Sequence, residues 1–578
     1  MAMLSKWGKE VNKNEPWQEY PRMQLQRDSY HSLNGIWEYQ ITERKSKPDP
    51  SKWNEIVVPF ALGSELSEAS ENLPVGKALW YRKQFSYKPS ILRTFLNFEA
   101  VDAECTVFVN GLEVGTHKDG YNAFSFDVSE YVKYQNSLMI RCIDDSNYGK
   151  YAYGKQKVEH GGMWYTPTAG IWGSVWLEDL SAHAIQDIKI TPDVDRHCVH
   201  VSFAGNFSQV LITVAHDGHV IASGATEDKF YTLDIPDMHL WSPEDPFLYD
   251  LYIQSEDDVV RSYFGMRKFS IENDRNGIPR FFLNNAPYFF TGLLDQGYNN
   301  DGMYTYPSID AMLYELKEIK QLGFNMLRKH AKIETRRWYY ECDRLGILVM
   351  QDMPSGGMSE YDKMTTLYLP NIGITNLKDT GDSAFVRKDE TSRTCYYDEL
   401  QEMLENLYNC TSIFAWCPFN EGWGQFNSRQ VTAYIKAYDS TRLVDSASGW
   451  HDNGAGDFKS THNYFFPYRT TTDKYGRASI LSEFGGYSYL EKGHASIDKL
   501  YGYKKFTSKI DLMESIAKLY EKKVLKNIPR GLCGCIYTQV SDVEDECNGI
   551  FTSDREIVKV DERRMKKINN RCIRRLRK

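Results

Sequence analysis

After Gly277 and Pro279 the chain alternates short apolar runs with helical stretches, and few folds accommodate eight such pairs in about 300 residues. Strand-like runs are expected at residues 288–293, 324–328, 346–351, 413–418, 443–446, 459–464, 480–483 and 533–539, the sixth being the faintest. Helical stretches such as 309–321 and 336–344 fit between most of them. The pattern predicts a closed (β/α)8 barrel over residues 275–578, a ring packed with side chains whose working groups gather where the strands end.

The preceding residues read differently. Residues 1–181 are short strands and turns with little helical periodicity, and Asn110-Gly111 between Val109 and Leu112 is a two-residue hairpin signal. They predict an antiparallel β-sandwich of the jelly-roll kind. Residues 182–274 carry further strands, among them 210–214, 249–253 and 263–267, and predict an immunoglobulin-like sandwich without a disulfide.

Composition narrows the partners. A net charge of −9 with interspersed basic residues argues against nucleic acid or an anionic membrane. The basic cluster from Arg563 to Lys578, with Met565, Ile568 and Ile573 among it, reads as an amphipathic closing helix. No run reaches the ~18 apolar residues of a membrane span, and the N-terminus has no secretory pattern. Eleven cysteines without paired spacing fit reduced thiols, so a cytoplasmic location is expected; no ligand cluster marks a metal site, and no cofactor is expected.

In such a barrel the chemistry is expected at strand ends. Residues 413–421 finish in Asn420-Glu421 before Gly422-Trp423-Gly424, and residues 480–483 finish in Glu483 before Phe484-Gly485-Gly486. Cleaving an acetal needs a proton on the leaving oxygen and negative charge against an oxocarbenium-like carbon, which two carboxyls supply if one is protonated and the other ionised. A spacing of ~5–5.5 Å implies retention of configuration, and ~6.5–9.5 Å implies inversion.

Asn-Glu ending the fourth strand and Ser-Glu-Phe-Gly-Gly ending the seventh resemble the family 2 glycoside hydrolases, which include β-galactosidases, β-glucuronidases and β-mannosidases. Gly170-Ile-Trp172, Val175-Trp-Leu177 and Phe264-Gly-Met-Arg267 are similar to further landmarks of that family, so the resemblance covers nearly the whole chain. It implies a retaining exo-β-glycosidase with Glu483 as nucleophile, Glu421 as acid/base and Asn420 on the sugar 2-hydroxyl. Within Gly323–His330, Arg328 is expected beside the nucleophile and His330 on the same strand face. His462 and Tyr464 end the sixth strand, and a tyrosine there is expected on the nucleophile. Tyr537 and Gln539 stand where related enzymes place an aromatic floor under the sugar, and Trp423 either stacks on the leaving group or covers its loop.

Two departures bear on the sugar. Where relatives carry an Arg/Asn-His-Glu cluster, this chain has residues 294–301, making Asp295 a candidate hydroxyl ligand. Where the family's β-glucuronidases carry a lysine for the substrate carboxylate, the acidic stretch 544–549 has none, which ranks glucuronides low. The leading expectation is a β-galactosidase-like enzyme on short oligosaccharides or plant glycosides, with β-glucosidase, β-mannosidase or β-galactofuranosidase activity as alternatives. A carbohydrate-binding protein without catalysis is the alternative of another class. Residues 355–388 are expected to form a long loop that walls the pocket or reaches a neighbouring subunit of a homo-oligomer.

Overall fold

The computed structural model describes residues 4–358, 361–381, 385–495, 497 and 501–576. The basic residues Arg577 and Lys578, and part of the expected loop 355–388, lie outside the described residues.

The N-terminal sandwich packs a six-stranded antiparallel sheet against a four-stranded one. Strand Gln135–Ile143 alternates buried and solvent-facing residues along its length, which is the period-2 signature of a half-buried strand. Its inward residues meet Trp37, Tyr81, Leu96 and Leu177 in one core. Asn110 and Gly111 turn the chain with φ of 52° and 83°, the left-handed pair that a tight hairpin requires. A second sandwich follows, with sheets of three and four strands between Ile185–Asp193 and Val259–Phe264. Ile188, Val201, Ile212 and Leu251 fill it, and all eleven cysteines are free thiols.

The barrel strands are β1 (Phe290–Asp295), β2 (Met326–Lys329), β3 (Leu348–Asp352), β4 (Ile413–Cys417), β5 (Leu443–Val444), β6 (Phe458–Asn463), β7 (Ala478–Gly485) and β8 (Leu532–Thr538). They lie in the order β5-β4-β3-β2-β1-β8-β7-β6, all parallel. One seam, between β5 and β6, lacks a ladder. There β5 is two residues long, and Asp457 closes the gap instead: Val444 N donates to Asp457 Oδ2 at 2.7 Å, and Asp457 N donates to Val444 O at 2.8 Å. The faint sixth run is a six-residue strand, so the fifth is the weak element.

Helices α1 (Ile309–Gln321), α2 (Arg336–Leu345), α3 (Glu390–Leu407), α4 (Ser428–Tyr438), α5 (Lys509–Leu519) and α6 (Glu562–Leu576) surround the ring. The closing helix α6 buries Met565, Ile568 and Cys572, and on its exposed face Arg564 and Arg571 pair with Glu514 and Glu521. No described helix is long and apolar enough to cross a membrane.

The barrel interior is divided. Phe281, from a strand ahead of β1, plugs the lower end against Phe290, Phe414 and Phe458 at centroid distances of 5.1, 6.3 and 5.1 Å. Burying such a ring contributes about 1.5–3 kcal/mol, which makes the lower half a stable apolar platform. Above it the inward residues turn polar, and that boundary positions the site.

Candidate active site

Four strand ends converge on one guanidinium. Arg328, fully buried, donates through Nε to both carboxylate oxygens of Asp352 at 3.1 Å. Its Nη1 reaches Glu483 Oε1 at 3.1 Å, and its Nη2 reaches Asn420 Oδ1 at 2.8 Å. The rigid fork of arginine suits this task, since one planar group satisfies acceptors from β3, β4 and β7 together. His330 Nδ1 lies 2.7 Å from Asp352 Oδ2, so the carboxylate at the end of β3 orients both the guanidinium and the imidazole at the second strand's exit.

Glu421 follows β4 in a left-handed backbone conformation, φ 55°, which costs a non-glycine residue on the order of 1 kcal/mol or more. Its amide donates to Ser448 O at 2.9 Å, and its carbonyl accepts from Trp450 Nε1 at 3.0 Å. These bonds hold the strained turn and aim the carboxyl inward. Glu421 Oε1 lies 2.8 Å from His462 Nδ1. His462 Nε2 lies 3.0 Å from Ser448 Oγ, 3.3 Å from Arg328 Nη1 and 3.5 Å from Glu483 Oε1. One imidazole therefore stands between the two glutamates, and carboxylate oxygens of both fall within 4.8 Å of one another.

Electrostatics separate the pair. Burial pushes Glu483 upward, but His462, Arg328 and His330 together with the Tyr464 hydroxyl outweigh it and hold the carboxyl down at about 2. Tyr464 donates to Glu483 Oε2 at 2.5 Å, and its own proton is held tightly by burial and by that carboxylate. Burial lowers His330 despite Asp352 beside it. Glu483 is thus ionised over the whole working range. Glu421 touches His462 and no guanidinium, and its side chain is 16% exposed, open to the mouth. Glu421, His462 and Glu483 also offer three atoms at metal-binding spacing. With Arg328 already on Glu483 and His462 Nδ1 engaged by Glu421, the arrangement suits proton handling better than a cation.

Seven of the expected residues meet here: Glu421, Glu483, Asn420, Arg328, His330, His462 and Tyr464. Four do not. Asp295 pairs across the ladder with Lys329, not with Arg328, and so faces the helices: its carboxylate binds Lys329 Nζ at 2.6 Å and Gly297 N at 2.8 Å. Tyr537 pairs with the outward Leu293 and packs its ring on Phe484 and Tyr520, while inward Thr538 lies 3.0 Å from the Tyr464 hydroxyl. Gln539 is fully buried, with its amide spent on Gln296 and Asn548 at 2.8 Å each. Trp423 is walled by Tyr153 at 5.4 Å and Trp164 at 5.1 Å, so it anchors the loop to the N-terminal sandwich.

Asp352 was missed, although it ends an apolar strand just as Glu421 and Glu483 do. Tyr361 and Tyr503 come from loops without periodicity, and both hydroxyls are raised, first by burial and then by the charge of Glu421. No spacing rule announces them. The segment 355–388 also holds more structure than expected: a π-helical turn at Met364–Tyr368, with Thr365 O 2.8 Å from His451 Nε2.

Comparison with known proteins agrees with this architecture. Residues 68–180 match the sugar binding domain of glycosyl hydrolases family 2, residues 181–267 match glycosyl hydrolases family 2, and residues 278–485 match its TIM barrel domain. A beta-galactosidase of Actinobacillus pleuropneumoniae is 26% identical over 417 residues, 68% of this chain and 39% of that protein. A beta-glucuronidase of Streptococcus agalactiae is 24% identical over 434 residues, 70% of this chain and 68% of that protein. The chain thus spans about two-fifths of the first relative's length. The solved beta-D-glucuronidase of Dictyoglomus thermophilum superposes with a TM-score of 0.74 at 17% identity, covering 95% of this chain and 98% of that one. On its sequence matches along both sandwiches and the barrel, the chain belongs to glycosyl hydrolases family 2.

Proposed function

We propose that the protein is a retaining exo-β-glycosidase that removes a terminal neutral sugar, with β-galactosides as the first substrates to test. The observation that carries this reading is the pair of carboxylates within 4.8 Å, one fixed as an anion by Arg328 and the other facing the mouth. That spacing falls at the short end for carboxylates, where there is no room for a water between nucleophile and sugar. Glu483 attacks the anomeric carbon as Glu421 gives its proton to the leaving oxygen, forming a glycosyl ester and a free alcohol. Glu421, now ionised, takes a proton from water, whose oxygen displaces Glu483 and restores both groups. Asn420 is held through its Oδ1 by Arg328, which leaves its amide nitrogen for the sugar 2-hydroxyl.

The neutral sugar is supported by Glu546, an acidic group buried beside the pocket on the loop after β8, where a carboxylated glycone would need a cation. Tyr361, half-buried and close enough to feel the charge of Glu421, stands on that side of the mouth and favours a blind pocket for one terminal unit. A 2-fluoro glycoside that traps the ester, followed by peptide mass spectrometry, tests the assignment. Label on Glu483 is expected, with Glu483→Gln slowing turnover about 10³-fold or more. Label elsewhere, or turnover with inverted configuration, refutes it.

A further inference from the structure

The N-terminal sandwich sends one loop deep into the barrel, and it carries a lysine that the double displacement leaves unused. Gly154 adopts φ +57° so close to the exit of β2 that a Cβ would lie 2.5 Å from the carbonyl oxygen of Ala331, the residue after His330. Gly154 N also donates to Ser355 O, just beyond β3, at 2.9 Å. Lys155, next in the chain, therefore lies over the mouth. Its carbonyl accepts from Tyr165 N at 2.9 Å, and the hydroxyl of the same tyrosine donates to Glu546. One tyrosine thus ties Lys155 of the sandwich to Glu546 of the barrel.

The Lys155 side chain is half-buried, with its ammonium 5.4 Å from the centre of the Trp164 ring, and it forms no ion pair among the described residues. Its charge nevertheless acts on both His330 and Glu546, which brackets it between the two sides of the pocket. Glu546 Oε1 has only a long contact, 3.4 Å from Asn548 Nδ2.

We infer that Lys155 and Glu546 form a donor–acceptor clamp on two hydroxyls of the glycone, a specificity device for a neutral sugar assembled from two domains. This rests on the glycosidase reading above. An ammonium only donates and a carboxylate only accepts, whereas a sugar hydroxyl does both. Neighbouring hydroxyls can bridge the two groups without leaving either unpaired, while a carboxylated sugar satisfies Lys155 but meets Glu546. The half-buried ammonium, which has the Trp164 ring beside it, gains a hydrogen-bond acceptor when the sugar arrives.

The test compares wild type, Lys155→Met and Lys155→Arg on the best neutral nitrophenyl β-glycoside, its monodeoxy analogues and the matching uronide. Lys155→Met is expected to lower kcat/KM on the parent about 10- to 100-fold, the loss of a charged hydrogen bond. On one deoxy analogue, already poor for wild type, the drop should largely vanish, and Lys155→Arg should recover part of the parent activity. An unchanged kcat/KM on the parent overturns the clamp. So does an equal loss on every deoxy analogue, which marks a packing role, or a loss confined to the uronide, which assigns the lysine to a carboxylate. If wild type hydrolyses no β-glycoside and the fluorosugar labels nothing, the glycosidase reading fails instead. Monosaccharide calorimetry then still reads the clamp, and equal affinities for wild type and Lys155→Met refute it.

Discussion

At the scale of single residues, Arg328 sets the two glutamates in different electrostatic surroundings. It touches Glu483, Asn420 and Asp352 but not Glu421, so it stabilises the anion on one side of the cleft only. Arg328→Met should strand Asp352 and Glu483 without their cation and raise the acid limb of the kcat/KM–pH profile. The sign follows from Glu483 being held down near 2 in the folded protein: its ionised form persists as pH falls until that value, and losing the arginine brings protonation back toward 4.5. Turnover should fall by about 10²-fold or more. Tyr464→Phe removes one hydrogen bond to Glu483 and keeps the ring stacked on Tyr503 at 3.9 Å. A fall in kcat of about 10- to 100-fold with little change in thermal stability is expected, and steady-state kinetics beside a melting curve check it. The two glutamates were legible because a carboxylate ending an apolar strand has few structural excuses. Asp352 met the same criterion. Tyr503 and Lys155 did not, because nothing local in a loop records which strand end it will cover.

At the scale of elements, the period of a β-strand decides which side chains face the barrel interior and which face the helices. Arg328 and His330 share a face two residues apart, whereas Lys329 points the other way and takes Asp295 with it. Strand ends were readable from apolar runs, but the inward phase was not: a one-residue error exchanges the interior for the helix layer, as at Tyr537 and Thr538. Loops are subject to a different constraint, close approach. Gly154 combines a left-handed φ with a neighbouring carbonyl where a Cβ would fall, so Gly154→Ala should lift the loop from β2 and β3. Activity should drop with the sandwich core still folded, which hydrogen exchange confined to residues 150–157 and 355–358 would reveal.

At the scale of the whole molecule, the N-terminal sandwich completes the barrel's mouth, and their contact is itself titratable. Glu399 of α3 accepts from Ala152 N, and its backbone carbonyl accepts from Asn122, the neighbour of Asp119. Burial raises Asp119 from 3.8 to about 6 despite His117 nearby, and raises Glu399 well above its ordinary value. A carboxyl that binds its proton more tightly when folded contributes its full stability below its unfolded pKa, and loses it as pH rises through the folded value. The melting temperature should therefore fall between about pH 4 and pH 7, and Asp119→Asn should flatten that slope; an unaltered slope would place the titration elsewhere.

From the sequence alone came the three units, the eight-fold alternation, the two glutamates and the arginine, because periodicity, turn chemistry and strand ends are local properties that a linear pattern carries. The tertiary structure decided the rest: which face each strand turns inward, that His462 stands between the glutamates, that Asp295 and Gln539 are spent on the scaffold, and that a sandwich lysine overhangs the pocket. Each of these depends on register between strands or contact between domains hundreds of residues apart, and no local pattern encodes the partner that wins such a contact.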